Sequence, residues 1–294
     1  MTSPSNPTRL HRAWVIAGVT FLTLIAAAAF RSTTSVLFEP LEMHFGWTRS
    51  QTSLAVTVNL IFYGLTAPFA AVFMERFTIK RTAMVALTLI GLGTGLTLTM
   101  TEAWQLVLYW GVFVGLGTGA LALVFASIVA NRWFETRRGL VTGIFSAAYA
   151  TGQLLFLPLI AHLVMESGWQ LGSLVVTLLV AALIPIFFFL FKEKPADVGL
   201  LPYGATEPRV EEQAPRTVKA TLTTLTEAFR SKAFWVLAGT FFVCGWTTNG
   251  LIGAHFIPAA HDHGMPATTA AQAPVPQARV SPAPRSNTRK RTAP

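Results

Sequence analysis

Trp169–Phe191 reads WQLGSLVVTLLVAALIPIFFFLF, 23 residues without one charged side chain. A helix of that length rises about 34 Å, enough to cross a hydrocarbon core roughly 30 Å thick. The apolar run is continuous rather than alternating, which excludes a barrel strand. Segments of the same kind precede it at Ala13–Phe38, Ser50–Phe73, Thr82–Met100, Trp104–Ala130 and Gly139–Val164, and a seventh follows at Ala233–Pro258. The fold class is therefore an all-α membrane protein, read as a six-helix bundle (13–191) plus one further helix.

Composition agrees. Hydrophobic residues make up 52% of the chain and charged residues 12%, about half the charged share of a soluble domain, so the bilayer is the solvent for most of the surface. The net charge of +9 does not indicate a nucleic-acid partner. Five of the basic residues (Arg279, Arg285, Arg289, Lys290 and Arg291) sit near the C-terminus, and most of the others lie in loops. The single cysteine, Cys244, allows no disulfide framework or metal cluster. The first span is too long for a signal-peptide core and is read as retained.

Loop charge sets the orientation. The arm 1–12, the loops after the second and fourth spans, and the segment 192–232 hold 15 Lys and Arg residues, whereas the loops on the opposite face hold only Arg49. The N-terminus is thus expected in the cytoplasm. The segment 192–232 reads as a cytoplasmic linker between two membrane units, with a surface helix near Thr217–Arg230. Span 233–258 then opens on the aromatic anchor Phe234–Trp235. Residues 259–294 form a tail whose last part, rich in Pro and basic residues, cannot bury a core. Its five basic residues would lie on the face that otherwise avoids them, and a frameshifted or truncated reading of a longer chain is the expectation.

Several motifs point further. Glu75–Arg76–Phe77–Thr78–Ile79–Lys80–Arg81 closes the turn between the second and third spans. Trp133-Phe134-Glu135-Thr136-Arg137-Arg138-Gly139-Leu140 opens the fifth, followed by the small residues Gly143, Ala147 and Gly152. Lys194–Gly204, Phe241–Gly250 and Phe45–Gly46–Trp47–Thr48–Arg49 complete the set. Together these resemble the major facilitator superfamily, in its monocarboxylate transporter branch, with bacterial oxalate–formate antiporter-like members nearest. Ala71 and Thr78 stand where that family's loop usually has glycine, and the usual fourth-helix arginine is missing near Gly111.

The resemblance implies a secondary active transporter of small organic anions working by alternating access, in a bacterial inner membrane. Its partners would be a small carboxylate, a proton or counter-anion, and membrane lipid, with no cofactor and no enzymatic activity. It also implies a gating role for Glu75, Arg76, Lys80, Arg81, Arg137 and Arg138, the acid capping a helix end or pairing with arginines. The family's cationic eighth helix has no counterpart here.

Arg31 is the only charged side chain lying clearly within a span, which makes it the first anion-contact candidate. Measured from Trp14 it lies about 26 Å along the helix, near the far headgroups, where snorkelling competes. Asn249 and His255 in the seventh span and Tyr149 in the fifth are the other substrate-contact candidates, with Tyr63, Gln153 and His162 behind them. The clusters Gly91/Gly93/Gly95 and Gly111/Gly115/Gly117/Gly119 follow no strand, and they read as helix-packing positions rather than a phosphate loop. A seven-span sensor is the alternative. A retinal protein would need a lysine in 233–258, which has none, and no catalytic constellation supports an intramembrane enzyme.

Overall fold

The computed structural model describes residues 11–207 and 218–248, together with Phe256, Ala259 and Ala260. Among the described residues, six helical segments are long and apolar enough to cross a membrane. They are α1 (Arg12–Phe45), α2 (Arg49–Phe77), α3 (Ile79–Leu96), α4 (Ala103–Trp133), α5 (Arg138–Ser167) and α6 (Trp169–Leu190). Two further helices follow, α7 (Val218–Arg230) and α8 (Lys232–Gly245). The expected tail 259–294, apart from Ala259 and Ala260, lies outside the described residues, as do Asn249 and His255.

Chemistry at the helix ends explains where the elements break. Gly46 terminates α1 in the left-handed conformation at φ 69°. Gln51 reaches back to accept from the Thr48 backbone N–H at 2.9 Å, closing the start of α2. Gly168, at φ 83°, separates α5 from α6. Within α4 the backbone relaxes into a π-helical stretch at Val107–Val114 and breaks near Leu121 and Ala122.

The bundle pairs α1 with α5, α3 with α6, and α2 with α4. Small residues permit these approaches. A methyl group at Gly115 would stand 2.9 Å from the Asn59 carbonyl oxygen of α2, and one at Gly152 would stand 2.8 Å from Ala28 Cβ of α1. The packing role read for the α4 glycines is what the backbone uses. Gly143 differs, because a methyl there would meet open space, so Gly152 alone of the two brings the neighbouring helix close.

Large apolar side chains cover the outside of the bundle, including Leu54, Leu65, Leu154 and Phe189, all more than half exposed. Lipid is the medium that accommodates such a surface. Aromatic residues gather at one rim, where Phe45 stacks on Trp47 at 4.4 Å with Trp169 beside them, as at a membrane–water interface.

Candidate functional site

Arg31 does not sit at a helix end. α1 runs on to Phe45, about 21 Å past Arg31 at 1.5 Å per residue, although the apolar span within it ends at Arg31. The extension follows from the sequence beyond Phe38: Glu39 and Glu42 are tolerated in the last turns because Glu42 pairs with Arg49 at 3.0 Å and accepts from Thr52 at 2.7 Å.

The Arg31 guanidinium turns inward. Its carbon lies 4.4 Å from the centroid of the Tyr63 ring and 5.8 Å from that of Tyr149, both within cation–π range. Tyr63 is the midpoint of the 29-residue α2. Tyr149 stands about 17 Å into α5 from Arg138. Three helices therefore bring one cation and two phenol rings together near mid-height. All three side chains are half-buried. The Tyr149 hydroxyl is buried without a well-formed hydrogen bond, next to Arg31, and so keeps a donor for an incoming group. The close α1–α5 contact at Ala28 and Gly152, one turn from Arg31 and Tyr149, fixes their spacing.

A polar frame backs this site. Asn59 on α2 donates to the Trp110 carbonyl at 2.7 Å, within the π stretch of α4 where regular helical bonding is interrupted. The Trp110 indole N–H donates to Thr97 at 2.9 Å, and its ring meets Phe30 edge-on at 5.6 Å. Trp110 of α4 thereby links α2 through its carbonyl, and α1 and the end of α3 through its indole. Sequence reasoning passed over Asn59, although a lone amide inside an apolar span is itself a signal.

A second charged assembly closes the basic end of the bundle. The Glu193 carboxylate, just past α6, accepts from the backbone N–H groups of Ile79 and Lys80 at 2.9 and 3.0 Å. It also pairs with Arg132 at 2.6 Å. An anion capping the first turn of α3 offsets its unpaired N–H groups and its dipole. The sequence reading gave Glu75 either helix capping or pairing with arginines and did not single out Glu193, the acid that caps α3; an acid just after a span and between two lysines was the available signal.

Of the remaining gating candidates, Lys80 lies over the Phe188 ring at 4.3 Å and Arg76 over Phe77 at 5.7 Å. The Arg81 backbone N–H donates to the Thr78 hydroxyl at 3.3 Å. Arg137 takes the left-handed conformation before α5, and Arg138 donates to the Phe134 carbonyl at 2.6 Å.

The segment after α6 does not hang free as a linker. The Tyr203 N–H donates to the Trp133 carbonyl at 2.8 Å, and its carbonyl accepts from Glu135 and Thr136. Its ring rests against His11, Trp14 and Phe134. Residues 193–204 thus strap the ends of α1, α3 and α4. His162, by contrast, projects outward, 3.9 Å from an exposed Glu166.

Six long apolar helices packed into one bundle define a polytopic membrane protein. The chain belongs to the Major Facilitator Superfamily, whose model matches residues 19–278. It is 24% identical over 260 residues to the uncharacterised MFS-type transporter YcxA of Bacillus subtilis, covering 85% of this chain and 58% of that protein. It is 30% identical over 164 residues to monocarboxylate transporter 4 of Gallus gallus, covering 55% of this chain and 34% of the relative. The chain thus spans only 58% of the length of the first relative and 34% of the second. A crystal structure of a D-xylose–proton symporter superposes with a TM-score of 0.64 at 12% identity, over 88% of this chain and 64% of that one, which shows the fold.

Proposed function

We propose that the chain is the first bundle of a secondary transporter of small organic anions, with Arg31 as its cationic contact. The observation that carries this reading is the Arg31–Tyr63–Tyr149 cluster near mid-height. An anion leaving water for a low-dielectric site requires a cation or directed donors, and major facilitator sites lie between two bundles near the membrane midplane. A carboxylate facing Arg31 receives guanidinium N–H groups on one side and the Tyr149 hydroxyl on the other. Relatives named as monocarboxylate transporters support the carboxylate class. The coupling partner is a proton or a counter-anion. Loop charge supports a cell membrane location with the N-terminus inside. The clasp of Glu193, Arg132 and the α3 N-terminus holds the inner ends of the helices together as the bundle moves, with the basic residues from Arg76 to Arg138 around it.

Alternating access requires two walls. The 294-residue chain is expected to bind a carboxylate with little sustained uptake, whereas a longer form carrying a second six-helix bundle is expected to transport. Saturable binding of labelled formate, lactate and oxalate, with labelled xylose as the neutral control, tests the substrate class. Displacement of the bound carboxylate by xylose would overturn it.

A further inference from the structure

Helix α7 presents three distinct edges. At about 100° per residue, Thr221, Leu225 and Ala228 share one edge, and all three are half-buried; α7 contacts both α2 and α8. Next around the helix stand Leu222 and Phe229, exposed at 48% and 51%. Beyond them lies a basic edge of Lys219 and Arg230, both exposed. The remaining arc carries Ala220, Thr223, Thr224 and one exposed acid, Glu227, leaving the three cations from Lys219 to Lys232 in excess. The Thr223 and Thr224 hydroxyls donate to their own helix at the Lys219 and Ala220 carbonyls, both at 3.0 Å.

The turn into α8 adds an aromatic corner. The Trp235 indole N–H donates to the Phe229 carbonyl at 2.9 Å, and the Phe229 ring meets Phe234 and Trp235. Lys232 is exposed beside them. Among the described residues, no acidic side chain pairs with Lys219, Arg230 or Lys232. An apolar edge flanked by cations and ending in an indole corner is the pattern of a helix lying in a membrane interface.

We propose that α7 docks on anionic lipid headgroups, with Leu222 and Phe229 entering the acyl boundary and Lys219, Arg230 and Lys232 facing phosphates. A second protein is a poorer occupant, because cations set beside an apolar edge match an anionic lipid surface, where each adds about 1 kcal/mol. Docking would hold the linker flat against the membrane and fix the point from which α8 departs. The inference rests on the membrane reading of the bundle and is independent of substrate and sidedness.

Amide hydrogen exchange of the full chain, in nanodiscs of phosphatidylcholine alone or of an equal mixture with phosphatidylglycerol, tests it. Exchange across 219–230 is expected to be about tenfold slower in the anionic discs. That difference should vanish in Lys219→Glu/Arg230→Glu, and in Leu222→Ser/Phe229→Ser the helix should exchange rapidly in both discs. Exchange in α1–α6 serves as the folding control for each variant. Equal protection in the two lipids, or a lipid difference that survives the charge reversal, would overturn the proposal.

Discussion

The Arg31 guanidinium carbon stands 4.4 Å from the centre of the Tyr63 ring, joining α1 to the midpoint of α2. A partly desolvated contact of this kind is worth about 0.5–2 kcal/mol. It also fixes the guanidinium between α1, α2 and α5. Tyr63→Leu keeps the bulk and removes the ring quadrupole. We expect carboxylate affinity to fall by a few-fold up to tenfold, a loss of up to about 1.4 kcal/mol, with the fold intact. Equilibrium binding and thermal melting of the same preparation separate the two effects.

Glu193 serves three donors with one carboxylate, and its exposure is only 17%. Glu193→Gln removes the charge that pairs with Arg132 at 2.6 Å and weakens the α3 cap. The expected destabilisation is about 2 kcal/mol. Arg132→Gln should cost less, because Glu193 keeps its two backbone donors. Thermal unfolding in detergent, run side by side, should give that order.

Thr78 occupies φ 89°, ψ 148°, a region that side chains other than glycine avoid at a cost of about 1–3 kcal/mol. Its hydroxyl returns part of that by capping Arg81 N–H at 3.3 Å, and a cap-to-glycine change forfeits only a few tenths of a kcal/mol. Thr78→Gly should therefore stabilise the bundle by about 1 kcal/mol, while Thr78→Val should destabilise it. Melting temperatures of the two variants check the sign.

His11 caps α1, its Nδ1 accepting from Ala13 N–H at 3.3 Å, and its ring lies against Tyr203. Burial lowers its pKa from the usual 6.5, so the folded state favours the neutral ring. In the window between that depressed value and 6.5 the unfolded chain binds more protons, and stability falls as the pH drops through it. Protonation also removes the acceptor that Ala13 uses. Acidification should lower the protection factors of the amides in 193–204, taken relative to intrinsic exchange at each pH, and His11→Asn should abolish that dependence. An unchanged pH profile in the variant would sink the assignment.

Much of this was legible in the sequence, because apolar length and loop charge act locally. The six spans, the resemblance carried by 75–81 and 133–140, and the packing role of Gly115 and Gly152 all follow from residues close in the chain. Arg31 was visible as a cation at the end of an apolar run, whereas its closeness to the Tyr63 and Tyr149 rings joins helices far apart in the chain. Glu193 and Asn59 were missed for a different reason. Their partners lie 114 and 51 residues away, and no local pattern records such pairings. Thr78 was noticed as standing where glycine is usual, and its positive φ gives that departure a physical meaning.

Arg31→Gln provides the most direct test of the central claim. The variant keeps a polar side chain of similar length while deleting the charge, so equilibrium binding of labelled formate, lactate and oxalate can be compared with the parent chain. The account predicts at least about a tenfold loss of affinity, equivalent to about 1.4 kcal/mol, for whichever carboxylate binds the parent, with the melting temperature nearly unchanged. Equal affinity in a folded Arg31→Gln protein would contradict it.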